Sequence, residues 1–129
     1  MPHVRIEVVR GWAADLKPAL IKAVHGALVE ALRIPTWDRV VAIVEHAPED
    51  FAIPPRRGPR FTVVSITLFS GRTIDAKRAL YRAVVGNLAQ FGVPADDVVV
   101  VLNEQPRENW GVRGGVPASE IELGFKVDV

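Results

Sequence analysis

Slid along itself by 60 positions, the chain finds its own pattern again. Gly11, Asp15, Lys17, Ala19, Leu20, Ala23, Val24, Gly26 and Leu28 meet Gly71, Asp75, Lys77, Ala79, Leu80, Ala83, Val84, Gly86 and Leu88. Upstream, Val4 and Ile6 meet Val64 and Ile66. After one deletion the shift becomes 59, and Pro35, Asp38, Val40, Val41 and Glu45 meet Pro94, Asp97, Val99, Val100 and Glu104. Identities in that order mark an internal repeat, so the chain is two copies of one supersecondary unit, about 1–58 and 59–129. At 129 residues, the two copies together make one ordinary domain.

Each copy reads strand, helix, strand. Across residues 3–9, Val4, Ile6 and Val8 fall on one face at period two, and Gly11 ends the run. Leu16, Leu20, Val24, Leu28 and Leu32 then recur every four residues, which predicts a helix with an apolar stripe. Pro18 fits only the first turn of that helix, where its missing N–H costs little. The helix stops near Ile34-Pro35, and residues 40–44 form an apolar strand. In the second copy, residues 61–69 are the strand and Thr73 is the N-cap of a helix whose stripe is Ala76, Leu80, Val84 and Leu88. Residues 98–102 close the unit. A strand–helix–strand unit of this length implies a right-handed crossover and parallel pairing.

Between the copies, residues 47–60 (APEDFAIPPRRGPR) are too rich in proline and glycine for regular structure. Gly114-Gly115 marks a turn, after which Ile121, Leu123, Phe125, Val127 and Val129 alternate as an extra C-terminal strand. The expected fold is α+β: two tandem β-α-β units forming a four-stranded mixed sheet with two helices on one face. The other face then has no cover of its own, although residues 40–44 and 98–102 are apolar on both sides. That face is expected to meet other subunits in an obligate oligomer.

Composition excludes several classes of function. Sixteen basic against fifteen acidic residues leave a formal charge of +1, without the basic excess of a nucleic-acid binder. There is no cysteine, hence no disulfide, thiolate nucleophile or cysteine-held metal. His3, His25 and His46 lack metal-ligand spacing, so neither a metal nor another cofactor is expected. No apolar run approaches the ~18 residues of a membrane span, and no leader opens the chain. The expectation is a cytoplasmic protein with no membrane partner.

Chemistry starts at Pro2. A small second residue normally permits removal of Met1, which would leave proline as a secondary-amine N-terminus. An α-amino group has an ordinary pKa near 8, and desolvation or a nearby cation lowers it. A rigid proline at the start of a buried strand is therefore a candidate general base at neutral pH, or a general acid if its pKa stays high.

Pro2 combined with this repeat resembles the tautomerase superfamily, whose members use an amino-terminal proline as catalyst. Leu68-Phe69-Ser70-Gly71-Arg72-Thr73, then Lys77, and later Asn109-Trp110-Gly111 look like the fused-repeat branch containing malonate semialdehyde decarboxylase and cis-3-chloroacrylic acid dehalogenase. The resemblance spans essentially the whole chain. It implies a homotrimer with a proline-centred pocket at each subunit boundary and a small carboxylate as substrate.

Carried over by position, Pro2 matches the catalytic amine and Asp38 the decarboxylase's aspartate, which orients a water or a carbonyl. Arg72 matches the arginine that holds the substrate carboxylate; a planar guanidinium grips a carboxylate with two parallel hydrogen bonds, and a helix N-terminus adds a favourable dipole. Trp110 matches an aromatic pocket-wall residue. Arg113 has no counterpart in the resemblance, but it sits among glycines on an expected exposed turn and is taken as a further substrate-binding candidate.

The departures are equally specific. Where the decarboxylase and dehalogenase carry a second arginine just before the equivalent of Arg72, this chain has Phe69 and Ser70. The dehalogenase's first-helix histidine falls near Leu28, with His25 about a turn away. Arg56, Arg57, Arg60 and Arg113 are the available substitutes for the missing arginine. Asp38 has a repeat partner in Asp97, so a turn-forming role competes with a catalytic one. Glu45 and Glu104 end matching strands and read as structural.

The expected activity is cofactor-independent keto–enol tautomerisation of a small 2-oxo or enol acid, with Pro2 as general base. The alternative is a decarboxylase or hydratase with Pro2 as general acid. A non-enzymatic binding protein is the reading from a different class, because the fold it resembles also serves as a secreted signal in animals.

Overall fold

The computed structural model describes residues 2–129; the expected loss of Met1 concerns a residue outside them. In chain order the elements are β1 (His3–Val9), α1 (Lys17–Leu32), β2 (Val40–His46), β3 (Thr62–Phe69), α2 (Ile74–Ala89) and β4 (Val98–Gln105). A two-residue hairpin follows, β5 (Gly111–Val112) and β6 (Val116–Pro117). The four long strands form one sheet in the order β2-β1-β3-β4. β1 and β2 are parallel, as are β3 and β4, while β1 and β3 meet antiparallel at the centre. This is the expected mixed sheet of two β-α-β units.

The predicted stripes are the ones buried. Leu20, Val24, Leu28 and Leu32 of α1 and Leu80, Val84 and Leu88 of α2 pack on Val4, Ile6 and Val8 of β1 and Val64, Ile66 and Leu68 of β3. Both helices therefore cover one sheet face, and burial of each such side chain contributes roughly 1.5–3 kcal/mol before entropy is counted. Pro18 lies in the first turn of α1, and Thr73 caps α2 by accepting the Ala76 N–H at 3.1 Å. The helices end differently. Arg33 and Gly92 occupy equivalent positions in the repeat, both with positive φ (55° and 76°), a conformation that costs glycine nothing and arginine something. On the uncovered face, Val40, Val99 and Val101 are 45%, 41% and 42% exposed.

The C-terminal segment departs from expectation. Residues 121–129 form no strand, although their alternation survives as alternating burial, with Ile121, Leu123, Phe125, Val127 and Val129 half-buried and the residues between them exposed. A strand needs a ladder partner, and no strand of the described residues runs alongside this segment. It is tied down at its end instead, where the Val129 carbonyl accepts from the Thr73 hydroxyl at 2.8 Å and the Thr73 N–H at 3.1 Å. Residues 47–60 are irregular, as expected, apart from one 3-10 turn at Pro48–Asp50.

Candidate active site

The register of the sheet brings the candidate residues to one end. His3 pairs with Val40 on one side and Thr67 on the other, so Pro2, one residue upstream, lies at the edge where β2 begins and β3 ends. Pro2 is buried. Just beyond β3, Gly71 takes φ +126°, a backbone conformation that side chains rarely adopt, and the chain turns there into α2. Arg72 is thereby folded inward, only 6% exposed.

Arg72 is a buried cation with spare hydrogen-bonding capacity. Its Nη1 donates to the Phe69 carbonyl at 3.1 Å, while Nε and Nη2 are buried without a hydrogen-bond partner among the described residues. Burial pushes the guanidinium below the usual arginine range, opposed by the negative charges of Asp38 and Glu104. Unmet donors on a buried cation are costly, and an anion that accepted both would remove the cost.

Phe69 links the other candidates. Its ring meets Trp110 edge-on, with centroids 5.1 Å apart and planes at 73°. Trp110 is half-buried and its Nε1–H, like the spare Arg72 nitrogens, is buried without a partner. Phe69 also lines a cavity of about 220 Å³ together with Trp37, Asp38, Val112, Arg113, Leu123 and Phe125. Asp38 is 4% exposed, in the turn before β2, with its N–H donating to the Pro35 carbonyl at 3.1 Å. His25 on α1 supports that turn: its Nε2 lies 2.7 Å from the Thr36 carbonyl.

Three of the five expected residues meet at Phe69: Arg72 on its carbonyl, Trp110 on its ring and Asp38 in the lining of the same cavity, while Pro2 directly precedes His3, the partner of Thr67. Arg113 is exposed in the β5–β6 turn with φ +48°, and with Asp38 and Phe69 it lines the cavity, whose lining does not include Pro2, Arg72 or Trp110. Of the substitutes for a second arginine, Arg60 is committed elsewhere: it donates to the Phe91 carbonyl and lies over the Trp12 ring. Arg56 and Arg57 are exposed on the same linker.

The sequence reading missed Phe69, Trp37, Leu123 and Phe125 as wall residues. Phe69 shows in the sequence only as a residue standing where the resembled decarboxylase and dehalogenase carry an arginine, and the two tail residues carry the signal of a strand. Trp37 offered a usable sign, a bulky aromatic in a polar turn next to Asp38; it is 73% exposed. Arg107 went unread as well, and it is a staple, its Nη2 donating to the carbonyls of Ala118 at 2.9 Å and Ile121 at 2.7 Å. Among the described residues no cluster of three or more potential metal ligands occurs, and no helix is long and apolar enough to cross a membrane.

The doubled β-α-β unit around one mixed four-stranded sheet defines the class of fold. Family models described as tautomerase enzyme match residues 38–113 and residues 2–57. The chain belongs to the tautomerase family. It is 26% identical over 121 residues to a probable tautomerase, YusQ, of Bacillus subtilis (strain 168), covering 89% of this chain and 95% of that protein. Among solved structures it is similar to FG41 malonate semialdehyde decarboxylase inhibited by 3-bromopropiolate, at 32% identity and TM-score 0.76, over 89% of this chain and 92% of that one. It is also similar to a fused 4-OT solved as a wild-type symmetric trimer, at 30% identity and TM-score 0.78, over 90% and 95% of the two chains.

Proposed function

We propose that the protein is a keto–enol tautomerase for a small 2-oxo or enol carboxylic acid, with the amino-terminal nitrogen of Pro2 as general base. The observation that carries this reading is Arg72: a buried guanidinium with two nitrogens unpartnered among the described residues, at the same sheet end as a buried proline. A substrate carboxylate would accept from Nε and Nη2, the two nitrogens that form one edge of the guanidinium plane. The carbonyl next to that carboxylate acidifies the adjacent carbon, so no cofactor is needed to make its proton removable. In the ketonising direction, Pro2 takes the enol O–H proton, the oxygen electrons collapse to a carbonyl, and the same proton is returned to carbon. The walls contributed by Phe69 and Trp110 exclude water, which strengthens the arginine–carboxylate contact.

Asp38 and Arg113 have supporting roles in this reading. Asp38 offsets the Arg72 charge and positions the carbonyl or a water, while the exposed Arg113 in the cavity lining attracts the incoming anion. The chain is read as a homotrimer, supported by the exposed valines of the uncovered sheet face and by the likeness to a trimeric fused 4-OT.

The test is Pro2→Ala, with a second protein in which Met1 is retained. Both should lose turnover of 2-hydroxy-2,4-dienoic acids or phenylenolpyruvate by at least about 100-fold while keeping their thermal transition. Undiminished turnover in either would end the proposal. Titrating the Pro2 nitrogen by NMR adds the protonation state, since a base requires a value below neutrality or near it.

The likeness to a malonate semialdehyde decarboxylase favours a second reading, in which Pro2 stays protonated. The cation would polarise the 3-oxo group, the C–C bond to the carboxylate would break with loss of carbon dioxide, and the enolate carbon would take up a proton. Carbon dioxide release from malonate semialdehyde, with a Pro2 pKa at or above that of a free amine, would select this reading over the first.

A further inference from the structure

The repeat gives each part of the candidate site a counterpart at the opposite end of the sheet. Val4 pairs with Ile66 and Ile6 with Val64, so exchanging the two units maps the central pairing onto itself. A local two-fold axis therefore passes through the Arg5–Ser65 pair. The repeat carries Pro2 to Thr62, Asp38 to Asp97, Arg72 to Trp12 and Trp110 to Phe51. Asp97 is buried to the same degree as Asp38, at 4% exposure.

This second location is filled by the chain itself. The linker brings Arg60 over the Trp12 ring, with its guanidinium carbon 5.4 Å from the centroid, and Arg60 Nη1 donates to the Phe91 carbonyl. Two residues earlier, the Gly58 N–H donates to Asp97 Oδ2 at 3.0 Å, and the Thr62 hydroxyl donates to the Arg60 carbonyl at 2.9 Å. The fit is close. A Cβ on Gly92 would come within 3.0 Å of Arg60 Nη1, and one on Gly58 within 3.1 Å of Asp97 Oδ2. Where the first end has a cation supplied by the crossover loop, the second has an aromatic face in its place and a cation supplied by the linker.

We propose that this end of the sheet is a pocket for a planar guanidinium-type cation, occupied in cis by Arg60. An aromatic face, a backbone carbonyl and a nearby buried carboxylate are the groups that such a cation seeks, and a flat, weakly hydrated guanidinium suits them better than an ammonium does. The linker thus acts as a tethered ligand, which gives the irregular residues 58–60 a fixed place despite their lack of regular structure. The inference stands on the repeat geometry and is independent of what Pro2 does.

The experiment is Arg60→Ala, followed by thermal unfolding in methylguanidinium chloride and, as the control salt, methylammonium chloride. Arg60→Ala should lower Tm by roughly 4–8 °C, and methylguanidinium at tens of millimolar should recover part of that loss. Methylammonium should not, and wild-type protein should show no such gain. Arg57→Ala, which removes an exposed arginine from the same linker, should respond to neither salt. Equal shifts with the two cations, or an equal gain in wild type, would overturn the proposal. If Arg60→Ala does not fold, Arg60→Gln enters the same titration, since it keeps a planar donor too short to reach the Phe91 carbonyl and the same two outcomes decide.

Discussion

Lys77 Nζ lies 2.6 Å from Glu104 Oε1, and the equivalent pair in the first unit, Lys17 and Glu45, repeats the contact at 2.7 Å. Each pair ties the first turn of a helix to the end of the strand that closes its crossover. The two differ in their surroundings, because only Glu104 also acts on Arg72. Lys17→Met and Lys77→Met should therefore lower stability by similar small amounts, at most about 1 kcal/mol for such partly exposed pairs. Only Glu104→Gln should change catalysis, raising KM for the carboxylate substrate several-fold, whereas Glu45→Gln should not. Steady-state kinetics on the two glutamine variants checks this.

Arg72 is expected to be needed for activity while adding little to stability. Arg72→Met should cut kcat/KM by about 100-fold or more, and Arg72→Lys should fall between, because an ammonium keeps the charge but loses the two-pronged geometry. The sign of the pH effect follows from the lowered pKa. A base whose folded pKa lies below its ordinary value opposes folding while it is charged, and that penalty eases only as the pH climbs through the lowered value. The Tm difference between Arg72→Met and wild type should thus be flat from about pH 6 to about pH 9 and shift in favour of wild type only in strong alkali. Thermal melts across pH measure it.

The edge-on pair of Phe69 and Trp110 separates packing from polarity. Phe69→Ala should cost about 3–5 kcal/mol, since it empties a fully buried aromatic position. Trp110→Phe removes an Nε1–H that has no partner among the described residues and keeps most of the apolar contact, so stability should stay within about 1 kcal/mol of wild type. Chemical denaturation of both variants gives the comparison.

His25 should act on the site from a distance. It is buried on α1 and holds the Thr36 carbonyl two residues ahead of Asp38, so it positions the turn rather than touching substrate. His25→Leu should lower kcat several-fold with KM little changed, and His25→Gln, which can still donate to that carbonyl, should recover most of it. A purely structural role would instead leave the kcat of both variants in step with their stability.

Most of the fold could be read from the chain because its two periodicities are both strong. The i, i+4 leucines of α1 and the alternation of Val4, Ile6 and Val8 leave one way to bury each element, and Pro18, Gly71 and Thr73 set boundaries by backbone chemistry alone. The tail could not be read so well. Ile121 to Val129 alternate as a strand does, but strand formation needs a partner edge, and that is decided by tertiary placement, not by the segment. Within the candidate site, the sequence singles out Pro2, Asp38 and Arg72 because each carries unusual chemistry or a repeat relationship, and the structure buries all three. Phe69 and Phe125 are not singled out, since a wall residue has the same composition as a core residue and differs only in what lies on its other side.

The Arg5–Ser65 axis also has a consequence for how such a molecule can change. Where two identical chains build a symmetric sheet, every substitution is made twice, and a residue suited to one end is imposed on the other. Joined in one polypeptide, the ends answer to separate codons. Arginine at position 72 and tryptophan at position 12 can then coexist, and each end can be shaped without compromising its twin.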